Sequence, residues 1–173
     1  MRSVFLALVV AAIAAVEVPA EVVSVSDGDT IVVTVAGAEE RIRLLYLDTP
    51  ESKGNSHGAA TPEGKLAAEF MDIQAKAGSA VTLWGPGADL ERDRYKRLLA
   101  VVVTSRGDTL QERVIKAGWS PLWEKYGKAD PRWREVLVAA EAKAKQDKAG
   151  AWNTDPKYMT DKGNETTAKK AAE

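Results

Sequence analysis

The sequence predicts an α+β protein: a five-stranded β-barrel, fully or partly closed, capped by about three helices. Two observations predict this class. Runs of β-branched residues, separated by glycine- and aspartate-containing turns, recur in the first two thirds of the 173-residue chain. Segments with helix-start signals and helical spacing lie between and after these runs. A chain of this length is expected to form one compact domain.

The first three strands are expected to form a β-meander. Residues 22–25 and 31–35 are β-branched runs, and the turn sequence Asp27-Gly28-Asp29-Thr30 lies between them. Ala36-Gly37-Ala38 then turns the chain into a third strand at 41–47.

The remaining elements begin at recognisable signals. Thr61-Pro62 supplies an N-cap and a proline at the first helical position, Thr109 opens a capping box, and Asp130-Pro131 starts the last helix. The expected elements are a helix to about residue 77, strands at 81–84 and 98–103, and helices ending near residues 118 and 150. This order fits a five-stranded barrel of the oligonucleotide-binding (OB) type, which hides sheet edges and often presents a nucleic-acid-binding face.

Both chain ends differ from the domain expected at residues 21–153. Residues 1–20 have the layout of a secretory signal peptide: Arg2, a short apolar run, and a cleavage site after Ala20, with Ala14 as a second candidate. An uncleaved anchor or a buried N-terminal helix are the alternatives. The protein is therefore expected to be exported, either secreted or periplasmic, or anchored by its N-terminus. Residues 154–173 have almost no large apolar side chains, which predicts a flexible polar tail.

The composition excludes several kinds of site. Absence of cysteine rules out disulfides and thiolate metal sites. The single histidine, His57, lies in a Gly-, Ser- and Asn-containing loop and is expected to be solvated; zinc hydrolases normally need two or three imidazoles. With a net charge of −1, any nucleic-acid site must be a local positive patch.

The remaining candidates are carboxylates and arginines. Arg43 alone could be an exposed residue of an edge strand, and Asp48-Thr49-Pro50-Glu51 alone could be a turn. Asp29, at the turn after the first strand, is placed where two strands could bring it beside Asp48. Two carboxylates and a backbone carbonyl form an all-oxygen cation site suited to calcium or magnesium. Arg43 and Arg97 supply rigid, permanently charged groups for phosphate oxygens.

Three blocks of the sequence resemble the signature blocks of the staphylococcal nuclease family. They are Asp27-Gly28-Asp29-Thr30, Arg43-Leu44-Leu45-Tyr46-Leu47-Asp48-Thr49-Pro50-Glu51 and Asp93-Arg94-Tyr95-Lys96-Arg97-Leu98-Leu99-Ala100. The likeness covers nearly all of residues 22–152. It implies an OB-type barrel and a metal-dependent phosphodiesterase that breaks the 5′ P–O bond and leaves 3′-phosphate ends.

The resemblance also implies roles for the acidic residues. Asp29 and Asp48 would bind Ca²⁺ by their side chains and Thr49 by its carbonyl. Glu51 would be the general base or would position the attacking water. Asp27 would stand behind the metal ligands.

For the phosphate and the bases, the resemblance implies that Arg43 and Arg97 clamp the scissile phosphate. Arg94 and Tyr95 would touch the terminal phosphate of a bound nucleotide, and Tyr126 would pack on a base. The implied substrates are single-stranded DNA, RNA and locally unpaired duplex DNA, with no protein partner and a monomeric state.

The sequence departs from the family pattern at three places. Arg94 stands where a lysine is familiar. Lys96 stands where a glycine is familiar, in the turn that delivers Arg97. Glu124 stands where a second tyrosine is familiar, and Trp123 is the alternative stacking platform.

Two other functions compete with the active nuclease. One is a catalytically weak nucleic-acid-binding module of the same fold, which the complete acidic and arginine set disfavours. The other is a structural protein of the cell envelope, which only the export signal favours.

Overall fold

The computed structural model describes residues 15–54 and 59–170, with side chains as far as residue 165. Most of the predicted signal peptide and the loop position of His57 lie outside the described residues. Of the helices within these ranges, none is both long enough and apolar enough to cross a membrane.

Five strands close into a barrel. They are β1 (Val16–Asp27), β2 (Thr30–Val35), β3 (Ala38–Leu44), β4 (Ala80–Gly85) and β5 (Leu98–Thr104). The order around the barrel is β1-β2-β3-β5-β4; β3 and β5 run parallel, whereas the other neighbouring strands are antiparallel. The predicted five-stranded α+β barrel is therefore confirmed, and its closure leaves no long sheet edge to aggregate.

Five helices accompany the barrel in the described residues. They are α1 (Pro62–Gln74), α2 (Leu110–Lys116), α3 (Pro131–Asp147), α4 (Ala151–Thr154) and α5 (Pro156–Lys170). The first three are the predicted helices, and each begins at its predicted cap. Thr61 accepts a hydrogen bond from the Gly64 N–H and Thr109 one from the Glu112 N–H, while Asp130 caps α3. Caps of this kind contribute about 1 kcal/mol each.

One apolar core fixes the barrel against the helices. Ile31, Ile42 and Leu83 of the barrel are fully buried, as are Met71 of α1 and Leu137 of α3. Burying each such side chain contributes about 1.5–3 kcal/mol. The strand ends that carry the site therefore project from a rigid support.

Two strands, β1 and β3, differ from their predicted ranges. β1 begins at Val16, and its N-terminal half pairs with β4. The predicted cleavage point after Ala20 falls inside this strand; export itself stays a prediction. β3 ends at Leu44 instead of residue 47 because Tyr46 has a φ of 65°, a left-handed conformation that turns the chain out of the sheet.

The predicted flexible tail is wrong for most of its length, because residues 156–170 form α5. Two large side chains hold it: Met159 is fully buried, and Tyr158 packs towards the barrel end. Asp155 accepts a hydrogen bond from the Tyr158 N–H, and Lys157 pairs with Asp161 one turn on. A low average apolar content therefore did not prevent ordering, since the apolar residues present lie on the covered side.

Candidate active site

The candidate site lies where the β1–β2 turn meets the end of β3. Thr30 and Arg43 are partners in the β2–β3 ladder, and the Leu44 N–H donates to the Asp29 carbonyl at 2.9 Å. Asp48 follows in the loop after β3. Residues far apart in sequence are thus brought together by strand register, as predicted.

Arg43 links the two acidic residues. One of its terminal nitrogens lies 3.1 Å from Asp29 Oδ2 and 3.0 Å from Asp48 Oδ1. Its other terminal nitrogen donates to the Leu44 carbonyl at 2.9 Å, and the side chain is only 12% exposed. The two carboxylates therefore face a common point, which this nitrogen of Arg43 occupies.

The Asp48 carboxylate is largely enclosed, with 18% of its side chain exposed. Burial raises its pKa, and the nearby charges of Arg43 and Lys162 act in the opposite direction. Its backbone N–H donates to the Ser120 hydroxyl at 2.9 Å, which ties the loop to the segment after α2. The position of the carboxylate is therefore fixed from both backbone and side chain.

Thr49 packs directly on the β1–β2 turn. Its N–H approaches Asp29 Oδ2 at 3.4 Å. A Cβ placed on Gly28 would lie 2.8 Å from the Thr49 hydroxyl and 2.9 Å from the Ala67 methyl group. The glycine of the turn motif is therefore required by close approach.

Glu51 is held by the start of α1. Its carbonyl accepts a hydrogen bond from the Thr61 N–H at 2.9 Å. Burial, followed by the charges of Asp48, Asp29 and Glu51, raises the pKa of Tyr158 above its usual range. Glu51 thus shares one electrostatic environment with the acidic pair.

Arg97 reaches the site through a chain of hydrogen bonds. Its Nε lies 2.7 Å from Asp93 Oδ2, and a terminal nitrogen contacts the Thr30 hydroxyl at 3.4 Å. That hydroxyl donates to Asp29 Oδ1 at 2.9 Å. Burial acts to raise the pKa of Asp93, but hydrogen bonds from Arg97 outweigh it and hold the pKa below its usual value. Asp93 therefore stays charged and keeps Arg97 oriented.

The backbone conformation at Lys96 explains why a glycine is familiar at this position. Its φ is 64°, in the left-handed region that glycine adopts without strain. The turn is closed by the Asp93 N–H donating to the Arg97 carbonyl and the Lys96 N–H donating to the Asp93 carbonyl, both at 2.9 Å. Lysine therefore does not abolish the turn, although it adopts a strained conformation there.

The predicted substrate-binding residues lie around this centre. The Arg94 guanidinium stands over the Tyr95 ring at 4.7 Å, and Arg97 stands over the same ring at 5.4 Å. Tyr126 is 79% exposed and packs edge-on against Trp123, 5.2 Å between ring centroids.

Trp123 connects this aromatic pair to the acidic centre, since the Arg43 guanidinium lies 5.7 Å from its ring centroid. Glu124 points elsewhere: it accepts from the Ala129 N–H at 2.7 Å and pairs with Arg134 of α3 at 3.2 Å. Trp123 is therefore the residue that packs against Tyr126, whereas Glu124 contacts α3.

Asp27 lies beside the centre without joining the Arg43 bridge. It accepts a hydrogen bond from the Gly28 N–H at 2.8 Å. Burial raises its pKa, and the neighbouring Asp29 adds to that effect. Its place behind the metal ligands stays a prediction.

Three residues of the site were missed from sequence. Lys162 Nζ lies 2.7 Å from Asp48 Oδ2, and the Tyr158 hydroxyl donates to the Asp48 carbonyl at 3.2 Å. Ser120 holds the Asp48 backbone. The signal for the first two was the i, i+4 spacing of Tyr158 and Lys162, which puts both on one helix face.

The donor set fits a hard cation. Within the described residues, no group of three or more Asp, Glu, His or Cys side chains is placed to hold a metal ion. The predicted set needs only two carboxylates and the Thr49 carbonyl, and all of its donors are oxygen, which suits Ca²⁺. Asp29 and Asp48 lie close enough to share one Arg43 nitrogen, so a cation in place of that nitrogen would meet both carboxylates.

A known protein family and several known proteins match the part of the chain that carries this site. The sequence profile of the family described as staphylococcal nuclease homologue matches residues 41–154. An uncharacterized endonuclease of Escherichia coli O157:H7 is 33% identical over 141 residues, covering 81% of each chain.

Two further relatives come from Bacillus. The SPbeta prophage-derived endonuclease YokF of Bacillus subtilis is 32% identical over 152 residues, covering 84% of this chain and 49% of the relative. An uncharacterized protein of Bacillus anthracis is 33% identical over 138 residues, covering 79% of this chain and 61% of the relative. The chain thus spans only about half to three fifths of these two relatives.

Proposed function

The chain belongs to the staphylococcal nuclease family, and from that premise we propose that it is a calcium-dependent endonuclease acting on DNA and RNA. The family match and the relatives named endonucleases support a nuclease that hydrolyses phosphodiester bonds. The observation that carries the proposal is the convergence of the Asp29 and Asp48 carboxylates on one nitrogen of Arg43, with Arg97 joined to Asp29 through Thr30.

The proposed Ca²⁺ ligands are the carboxylates of Asp29 and Asp48 and the carbonyl of Thr49. When bound, the ion supplies positive charge beside the phosphate and offsets the negative charge that accumulates during hydrolysis. Arg43 bridges the two carboxylates without the ion, so its side chain would leave this bridge for the phosphate when Ca²⁺ binds, while the carboxylates are already side by side. Asp27 would support this arrangement from the turn.

Glu51 accepts the proton of the attacking water, or orients that water, in the proposed reaction. The water oxygen then bonds to phosphorus and the bond to the 5′ oxygen breaks. The 5′ oxygen leaves as a hydroxyl by taking a proton from solvent, and the other end keeps a 3′-phosphate. Arg43 and Arg97 donate hydrogen bonds to the phosphate oxygens as the charge on them grows, and preorganised donors have their largest effect there. The tether to Asp93 keeps Arg97 in place for this task.

The substrates proposed are single-stranded DNA, RNA and locally unpaired duplex DNA. Tyr126 and Trp123 offer aromatic surfaces on which an unstacked base can pack, and Arg94 and Tyr95 contact a terminal phosphate. Stacking of this kind tolerates many sequences because every base has a planar face. The protein is proposed to act as an exported monomer.

A nuclease assay tests this proposal. A labelled single-stranded DNA and an RNA are incubated with the full chain and Ca²⁺, Mg²⁺ or a chelator, and the 3′ ends are identified by their need for phosphatase before extension. We expect Ca²⁺-dependent cleavage that falls at least ~100-fold in Asp48→Asn. The matched control, Asp72→Asn on the exposed side of α1, should retain activity.

Two results would contradict the proposal. Cleavage that survives chelation, or normal cleavage by Asp48→Asn, would show that the acidic pair is not the catalytic centre. Tight binding of DNA without cleavage under any metal would favour the nucleic-acid-binding module instead.

A further inference from the structure

Helix α5 lies against the acidic centre along one face. Tyr158, Lys162 and Glu165 are spaced four and three residues apart, so they project from the same side of the helix. The Tyr158 hydroxyl donates to the Asp48 carbonyl, and Lys162 Nζ lies 2.7 Å from Asp48 Oδ2. The contact is therefore with the backbone and the carboxylate of the same residue.

Both oxygens of Asp48 are taken by cations of the chain itself. Arg43 contacts Oδ1 at 3.0 Å and Lys162 contacts Oδ2 at 2.7 Å. An ammonium ion on a carboxylate oxygen opposes a second cation at that oxygen through both occupancy and repulsion. With α5 in this position, Asp48 is already neutralised without an added ion.

The same helix also restricts Trp123. Glu165 accepts a hydrogen bond from the indole N–H at 3.3 Å and pairs with Lys125 at 3.1 Å. Lys162 Nζ lies 6.0 Å from the indole centroid. A nucleic-acid base that packed on this ring would compete with these α5 contacts.

We propose that α5 is an inhibitory helix built into the chain, with Lys162 competing with Ca²⁺ for Asp48 and Glu165 restricting Trp123. This inference rests on the calcium site proposed above. Binding of Ca²⁺ takes Asp48 away from Lys162, and an unpaired strand takes Trp123 away from Glu165, so each ligand alone weakens the docking of α5 and both together displace it most. The helix stays tethered through α4, so it returns to the site when both ligands leave.

Calcium titration of the full chain by isothermal calorimetry, without nucleic acid, tests the inference. Lys162→Met should bind Ca²⁺ about tenfold more tightly. This is the gain expected if α5 is docked in about nine of ten wild-type molecules, because only the undocked molecules are then competent to bind the ion. The matched control is Lys157→Met, because Lys157 is 85% exposed on the same helix and pairs with Asp161. Its affinity should equal that of the wild type.

A second pair of variants separates displacement of the helix from a simple charge effect. Glu165→Ala removes a negative charge near the site, so Coulomb attraction alone predicts weaker Ca²⁺ binding. The inhibitory helix predicts tighter binding, because the contacts to Lys125 and Trp123 are lost. Asp161→Ala removes the same charge from an exposed position of α5 and should leave the affinity unchanged.

Hydrogen–deuterium exchange of the wild type gives a measurement that needs no variant. Amides of α5 should exchange faster once Ca²⁺ is bound, whereas those of α3 should not. Unchanged exchange in α5, or weaker binding in Glu165→Ala, would overturn the inhibitory helix. If the wild type binds no Ca²⁺, the proposed metal site is refuted as well. If the wild type binds Ca²⁺ and Asp48→Asn does not, the metal site stands and only the inhibitory helix is refuted.

Discussion

Gly64, in the first turn of α1, is where one methyl group would disturb the loop that carries Glu51. The Cβ of an alanine there would lie 2.1 Å from the Glu51 carbonyl oxygen and 2.2 Å from its carbonyl carbon. Nonbonded contacts between such atoms are normally about 3.5 Å or longer. The loop and the helix would therefore have to separate by more than ~1 Å.

The expected magnitude follows from three opposing effects of Gly64→Ala. Helix propensity favours alanine by about 1 kcal/mol. Overpacking against rigid backbone costs about 1–3 kcal/mol, and loss of the 2.9 Å hydrogen bond from Thr61 to Glu51 costs about 1 kcal/mol more. The free energy of unfolding should therefore fall by about 1–3 kcal/mol.

Urea denaturation followed by tryptophan fluorescence measures this change. Gly163→Ala is the matched control, because the nearest heavy atom to its added methyl group, Pro121 Cβ, lies at an ordinary 3.9 Å. That variant should be as stable as the wild type or up to about 1 kcal/mol more stable. The nuclease activity of Gly64→Ala should also fall, because Glu51 moves with its loop. A Gly64→Ala protein of wild-type stability and activity would refute the close contact.

Three further predictions concern the turn that carries Arg97. Lys96→Gly should raise the free energy of unfolding by about 0.5–1 kcal/mol in urea denaturation, since relief of the left-handed lysine outweighs the entropy of glycine. Arg97→Ala should lower kcat on single-stranded DNA by ~100-fold or more, and near-normal turnover would remove Arg97 from the mechanism. Hydrogen bonds from Arg97 hold the pKa of Asp93 below its ordinary 3.8. The stabilisation that this ion pair gives the folded protein is therefore complete above that pH, and it is lost as the pH falls through the lower pKa that Asp93 has in the folded state. Urea midpoints of the wild type and Asp93→Asn should therefore differ at about pH 6 and converge towards about pH 2; a constant difference would contradict the ion pair.

Local signals in the sequence were sufficient for most of the barrel and for the first three helices. Thr61, Thr109 and Asp130 begin helices because their side-chain oxygens satisfy N–H groups of the first turn, and this depends on a few adjacent residues. The convergence of Asp29 and Asp48 also followed from strand order.

The remaining features depend on tertiary contacts that a pattern does not contain. β3 ends early because Tyr46 adopts a left-handed conformation; the Trp123 N–H donates to its carbonyl and the Asp130 N–H to its hydroxyl. The order of α5 depends on Met159 and Tyr158 meeting partners far away in sequence. Composition averages over such residues, so the sequence predicted a tail.

The central claim is that Asp29, Asp48 and the Thr49 carbonyl form a catalytic calcium site. A crystal structure of the full chain grown with Ca²⁺ tests it most directly. The account predicts one ion about 2.3–2.6 Å from oxygens of all three residues, with Lys162 no longer in contact with Asp48. An ion bound elsewhere, or a site that stays empty at saturating Ca²⁺ with Arg43 still bridging the two carboxylates, would contradict it.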